Sequence, residues 1–97
     1  MRSDAEGGRR IAFVVSGRVQ GVAFRAHARD TARALGLTGF VTNRIDGAVE
    51  GEAQGDRHRL DEFIAFLHRG SPWSRVERVD VLDRALRPVE ASFDVIR

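Results

Sequence analysis

The sequence predicts an α+β domain of ferredoxin-like type. This is a βαββαβ sandwich with a mainly antiparallel sheet, two helices on one face and a short extra C-terminal strand. Three observations predict it. Short β-branched runs alternate with two amphipathic stretches at helical spacing. Glycine, aspartate and proline punctuate the joins at regular intervals from Arg10 onward. The length, 97 residues, suffices for one hydrophobic core and one domain.

Ile11-Ala12-Phe13-Val14-Val15-Ser16 sets large apolar side chains at 11, 13 and 15 and reads as the first strand. Gly17 to Ala23 is a glycine-punctuated loop. Phe24 to Leu35 carries apolar residues at 24, 28, 32 and 35, which share one helical face. Gly36 supplies a left-handed stop. Gly39 to Arg44 is the second strand, Arg44 to Gly47 a turn, and Ala48 to Ala53 the third strand, which together make a hairpin. Asp56 caps the second helix, whose apolar face is Leu60, Phe63, Ile64 and Leu67. Gly70-Ser71-Pro72 ends it. Val76 to Leu82 is the fourth strand. Val79 and Val81 alternate there while Val76 is out of phase, which predicts a bulge or an irregular start. Ser92 to Arg97 is the short final strand. Met1 to Gly8 is polar and ends in Gly7-Gly8. Residues 1–9 therefore read as a mobile leader and residues 10–97 as the single domain.

Composition narrows the function classes. Hydrophobic residues at 42% and charged residues at 31% are the balance of a soluble globular domain rather than a disordered chain. There is no cysteine, which excludes disulfides, thiolate metal sites and cysteine nucleophiles. No apolar run approaches the roughly 18 residues of a membrane helix. The polar N-terminus lacks the apolar core of a signal peptide, so the expectation is a cytoplasmic protein with no membrane partner. The formal net charge is only +2, yet the isoelectric point is near 10.8. Every one of the 16 basic residues is arginine, and tyrosine is absent. Little therefore titrates between neutrality and about pH 12. The high isoelectric point reports missing titratable groups, not a basic surface, and it points to no nucleic-acid partner.

The segment Val15-Ser16-Gly17-Arg18-Val19-Gln20-Gly21-Val22-Ala23-Phe24-Arg25 is the chemically informative one. It runs from a strand, through two glycines four apart, into a helix with an arginine in its first turn. Helix N-termini present unpaired N–H groups and partial positive charge. Glycines let the preceding loop curl until successive N–H groups converge on an anion. Arg25 adds a planar fork of donors that spans two phosphate oxygens. The sum is a phosphate cradle. The loop pattern by itself leaves open an ordinary βα loop with a surface arginine. The Lys-Ser/Thr pair of a Walker loop is absent, and so is the cysteine of a phosphoenzyme loop.

The same segment resembles the first signature of the acylphosphatase family, with Gly17, Val19, Gln20, Gly21, Val22, Phe24 and Arg25 all in place. The second signature follows as Gly39-Phe40-Val41-Thr42-Asn43-Arg44-Ile45-Asp46-Gly47-Ala48-Val49, closed by Gly55. Thr42 departs from it, since a long or basic side chain is usual there. The later Gly70-Ser71-Pro72 and the charged fourth strand are similar too. The resemblance runs from Ile11 to the C-terminus. It implies hydrolysis of the carboxyl–phosphate bond of small acyl phosphates by a single-domain, monomeric enzyme that needs no metal and no cofactor. Arg25 is then the phosphate-binding arginine, Asn43 orients the attacking water, and Gly17, Arg18, Val19, Gln20, Gly21 and Val22 form the phosphate-binding loop. Inorganic phosphate is then both product and competitive inhibitor.

Elementary chemistry is consistent with that reading. The leaving group is a carboxylate whose conjugate acid has a pKa of about 4. It departs without protonation, so no strong general acid is required. Phosphoryl transfer chiefly needs positioning and stabilisation of charge on the equatorial oxygens. The cradle and Arg25 supply the second, and an amide side chain supplies the first.

The remaining residues carry plainer readings. His27, His58 and His68 are isolated, without metal-ligand spacing. Gln20 either lines the cradle or stabilises a turn. Arg18 reads as solvated, and Trp73 as a packing lid. Two rival functions are a non-catalytic phosphate-binding or regulatory domain and an RNA-binding module of the same topology. The second would need exposed aromatics in the central strands. Only Phe13 and Phe40 are candidates, and Phe13 has the phase of a core residue.

Overall fold

In the computed structural model, which describes residues 8–97, alternation along each strand sorts the sheet into an apolar and a polar face. The elements in chain order are β1 (Gly8–Arg18), α1 (Phe24–Ala34), β2 (Thr38–Asn43), β3 (Val49–Asp56), α2 (Arg57–Arg69), β4 (Arg75–Arg84) and β5 (Phe93–Val95). The sheet order is β4-β1-β3-β2-β5. All pairings are antiparallel except β2 with β5, which is parallel. The expected ferredoxin-like βαββαβ order with an added strand is therefore the observed one. β1 begins earlier than expected: Gly8 and Arg9 pair with Asp56 and Gly55, so the domain includes two residues assigned to the leader. The rest of that leader, residues 1–7, lies outside the described residues.

Ile11, Phe13 and Val15 of β1 and Val49 and Ala53 of β3 point to the helices and are buried. α1 contributes Phe24, Ala28 and Ala32, and α2 contributes Leu60, Phe63, Phe66 and Leu67. Ile64, expected on that face, is only partly buried and Phe66 takes the place beside Phe24, with ring centroids 5.7 Å apart. Phe63 contacts both Phe13 and Phe93 edge-on at 5.6 and 5.7 Å, a geometry favoured by the ring quadrupoles. Asp56 caps α2, its carboxylate accepting from the N–H groups of His58 and Arg59. The irregularity expected at Val76 is a register shift: Ser16 opposes Arg78 whereas Gly17 opposes Val76, so Glu77 is the extra residue.

β4 and β5 lie at opposite edges, so residues 85–92 must cross the sheet. They cross its polar face and are strapped there by Arg10, whose side chain is fully enclosed. Its Nε donates to Glu52 at 2.6 Å, and its two Nη groups donate to Glu90 at 2.7 and 3.2 Å. Burial opposes the charge of Arg10, but the hydrogen bonds to Glu90 and Glu52 outweigh it, and its pKa is raised. Gln54 reinforces the strap by exchanging two hydrogen bonds with the backbone of Arg87, at 2.8 and 2.9 Å. The strap delivers the chain to β5, and β5 reaches the functional end of the molecule.

Candidate active site

β1 and β2 are both antiparallel to β3 and therefore run parallel to each other. Their C-terminal ends, and that of β5, emerge at one edge of the sheet. This brings Arg18, Asn43 and the segment Val95–Arg97 to the end where α1 begins. Arg25 and Asn43, 18 positions apart in sequence, are thus brought to one end of the sheet by topology.

Between β1 and α1 the chain curls tightly. Val19 is buried and anchors the loop to the core, with Val22 packed partly against it. Gly21 has φ +76 and Ala23 has φ 59, both left-handed, so the chain turns sharply before the first helical residue. Among the described residues, the N–H groups of residues 19 to 23 meet no acceptor. α1 has no side-chain cap and no acidic residue in its first turn. The helix dipole and the N–H groups of Phe24, Arg25 and Ala26, unpaired among the described residues, open onto the space at the start of α1.

That space is a cavity of about 160 Å³ lined by Val19, Gln20, Gly21, Phe24, Arg25, Arg29, Val95 and Arg97, among others. Arg25 is half-buried and, among the described residues, makes no ion pair or hydrogen bond. Asn43 does not wall this cavity. It is exposed at the end of β2, on the same face as Val41, and Ile96 N–H donates to the Val41 carbonyl at 2.9 Å, so residue 97 comes alongside it. The hairpin after Asn43 is closed by hydrogen bonds: Arg44 N–H donates to the Ala48 carbonyl at 2.8 Å, and Asp46 accepts from Ala48 N–H at 3.1 Å. That N–H, and then Arg44, hold the Asp46 carboxyl below the usual carboxylate range.

The structure separates the roles within the expected phosphate-binding loop. Gly17 and Arg18 are the last two residues of β1, not loop. Gly17 has φ +125 and sits so close to β4 that a Cβ would lie 2.2 Å from the Arg75 carbonyl oxygen, so its requirement for glycine is structural. Arg18 is exposed, as expected. Gln20 commits its side-chain amide to the hairpin: its Nε2 donates to the carbonyls of Arg44 and Ala48, each at 2.8 Å. Both amide donors are spent, and Gln20 clamps the loop to the hairpin beside Asn43. Trp73 is not a lid. It is 88% exposed and covers nothing. Phe13 is in the core, which removes one of the two aromatics an RNA platform would use. The three histidines are exposed, and among the described residues no group of three or more His, Asp or Glu side chains gathers as metal ligands do.

Two cationic residues of the cavity were not singled out by sequence. Arg29 lies four residues after Arg25, a spacing that puts both on one helical face. Arg97 required knowing that β5 lies parallel to β2.

The domain is an α+β ferredoxin-like sandwich with an arginine-lined cavity at its strand ends. The acylphosphatase family model matches residues 11–95. An acylphosphatase of Methylococcus capsulatus is 44% identical, over 92% of this chain and 97% of that one. The structure of an acylphosphatase from Coxiella burnetii superposes with a TM-score of 0.92 at 33% identity, covering 99% of this chain and 100% of the other. The crystal structure of the Bacillus subtilis acylphosphatase gives 0.87 at 34% identity, covering 91% and 98%. The chain belongs to the acylphosphatase family.

Proposed function

We propose that the protein hydrolyses the carboxyl–phosphate bond of small acyl phosphates to a carboxylate and inorganic phosphate. The supporting observation is that, among the described residues, the N–H groups at the start of α1 and Arg25 are unpaired and share one cavity. The phosphoryl group lies on the N–H groups of residues 19–26, with two of its oxygens on the Arg25 fork. Asn43 holds a water in line with the bond to the acyl oxygen. The water oxygen bonds to phosphorus, the phosphorus–acyl oxygen bond breaks, and the carboxylate leaves with the electron pair. The phosphoryl oxygens take the proton of the water, because an amide is no base at neutral pH. Gly17, Arg18 and Gln20 support the cradle from outside it.

The reaction requires no metal in this reading, since the positive charge comes from Arg25 and the helix N-terminus. Inorganic phosphate is a competitive inhibitor. Among the described residues no helix is long and apolar enough to cross a membrane, and we place the protein in the cytoplasm as a monomer.

Acetyl phosphate incubated with purified protein and excess EDTA should release phosphate, with competitive inhibition by added phosphate. Glycerol phosphate, whose alkoxide leaving group is about ten pKa units worse than a carboxylate, should be almost inert. Absence of acetyl phosphate hydrolysis, or comparable rates on both compounds, contradicts the proposal.

A further inference from the structure

The cradle and Asn43 belong to separate pieces of chain. The cavity is walled by the loop after β1 and the start of α1, whereas Asn43 is exposed at the end of β2. An exposed side chain is aimed by the backbone that carries it. On one side that backbone is held by β3, where Asn43 pairs with the fully buried Val49. The next peptide is held from the loop. Arg44 N–H donates to the Ala48 carbonyl at 2.8 Å. Gln20 Nε2 donates to that same carbonyl and to the carbonyl of Arg44, each at 2.8 Å. Val19 and Gly21, on either side of Gln20, line the cavity. A single amide thus spans from the wall of the cradle to the residue that follows Asn43. Its NH2 group carries two donors, one for each carbonyl. The hairpin closes without it, because the Asp46 carboxylate already accepts from Ala48 N–H and from the Arg44 guanidinium. What Gln20 fixes is the place of the hairpin relative to the cradle.

We propose that Gln20 is a positioning residue for the reaction, holding Asn43 at the distance and angle that put its water in line with the phosphorus. This rests on the acyl phosphate reading above. Gln20 acts through Asn43 and touches neither the water nor the phosphoryl group. A misplaced nucleophile lowers the rate even when the phosphoryl group is bound.

The test is a double-mutant cycle on kcat with saturating acetyl phosphate. Gln20→Met keeps the side-chain length and removes both donors. With Asn43 present it should lower kcat by about tenfold, the effect of two neutral hydrogen bonds. In the Asn43→Ala background it should lower kcat by less than about twofold, because no amide is left to aim. Gln20→Glu sets a carboxylate against two carbonyl oxygens and should lose at least as much as Gln20→Met. Equal losses in the two backgrounds would make Gln20 a general support of the loop and overturn the proposal, as would an unchanged kcat with Asn43 present. Hydrogen exchange reads the same link without turnover. Inorganic phosphate should slow exchange at the N–H groups of Arg44 and Ala48 in the wild type and not in Gln20→Met. Slowing that is absent from the wild type, or that persists in Gln20→Met, contradicts the link. If the wild type hydrolyses no acetyl phosphate, the underlying reading fails, and the exchange measurement still decides whether Gln20 joins the cradle to the hairpin.

Discussion

Arg10→Met should destabilise the fold far more than an ordinary surface arginine substitution. The Arg10 side chain is 0% exposed, while the side chains of its partners Glu52 and Glu90 are 20% and 16% exposed. Removing the cation leaves two carboxylates facing each other under the 85–92 strap. Breaking a buried ion pair by deleting one partner costs about 3–5 kcal/mol. The residual exposure of the two carboxylates puts this case near the lower end, about 3 kcal/mol. In a domain this small each kcal/mol moves the midpoint by roughly 4–8 °C, so Tm should fall by about 12–24 °C. Far-UV circular dichroism is the suitable probe, because the single tryptophan, Trp73, is already exposed in the native state. The triple variant Arg10→Met/Glu52→Gln/Glu90→Gln should recover much of the loss, since it leaves no buried charge unpaired. An Arg10→Met protein within about 1 kcal/mol of wild type would refute the strap as a structural element.

Further outcomes follow from the same geometry. The hydrogen bonds from Arg10 hold the Glu90 carboxyl below its ordinary value of 4.5. Its contribution is therefore complete above about pH 4.5 and is lost as pH falls through the depressed value; Glu90→Gln should be less stable at neutral pH and show a shallower acid limb in urea titrations. Gly17→Ala forces a Cβ to 2.2 Å from the Arg75 carbonyl and should unfold or severely destabilise the protein, whereas Gly21→Ala, with nothing within 4 Å, should cost only about 1–2 kcal/mol for its left-handed backbone. Equal thermal shifts for the two glycines would contradict the separate roles assigned to them. Gln20→Ala should lower Tm by several degrees and weaken phosphate binding by about tenfold, through loss of the clamp on Arg44 and Ala48; unchanged phosphate affinity would mean that the clamp does not shape the cradle.

Much of this arrangement is legible in the sequence because it is local. The alternation at 11, 13 and 15, the Asp56 cap and the phase break at Val76 each depend on neighbours in the chain. Asn43 is different. Alone it is an exposed residue at a strand end, and only its motif, or the parallel relation of β1 and β2, associates it with the loop at Gly21. The strap was not foreseen because Arg10, Glu52, Gln54 and Glu90 are ordinary surface residue types, and their burial follows from where residues 85–92 cross the sheet. Phe66 is buried on α2 and Ile64 only partly, and helical periodicity alone does not decide which edge of the apolar face is covered. Trp73 follows Pro72 in a position that suggests cover, yet it has a left-handed φ of 71 and is exposed. Gly17 looks like a loop glycine, and only the pairing of β1 with β4 reveals the carbonyl pressed against it.

The division of labour between Arg25 and Asn43 is the central claim, and paired measurement of kcat and the phosphate inhibition constant tests it most directly. Asn43→Ala should remain folded by circular dichroism, lose about 10²–10³ in kcat on acetyl phosphate, and keep its phosphate inhibition constant within a few-fold of wild type. Arg25→Ala should instead lose both activity and phosphate binding, and Arg25→Lys should restore little, because an ammonium keeps the charge but not the fork. A folded Asn43→Ala enzyme with near-native kcat, or an Arg25→Ala protein that still binds phosphate as tightly as wild type, would contradict the account.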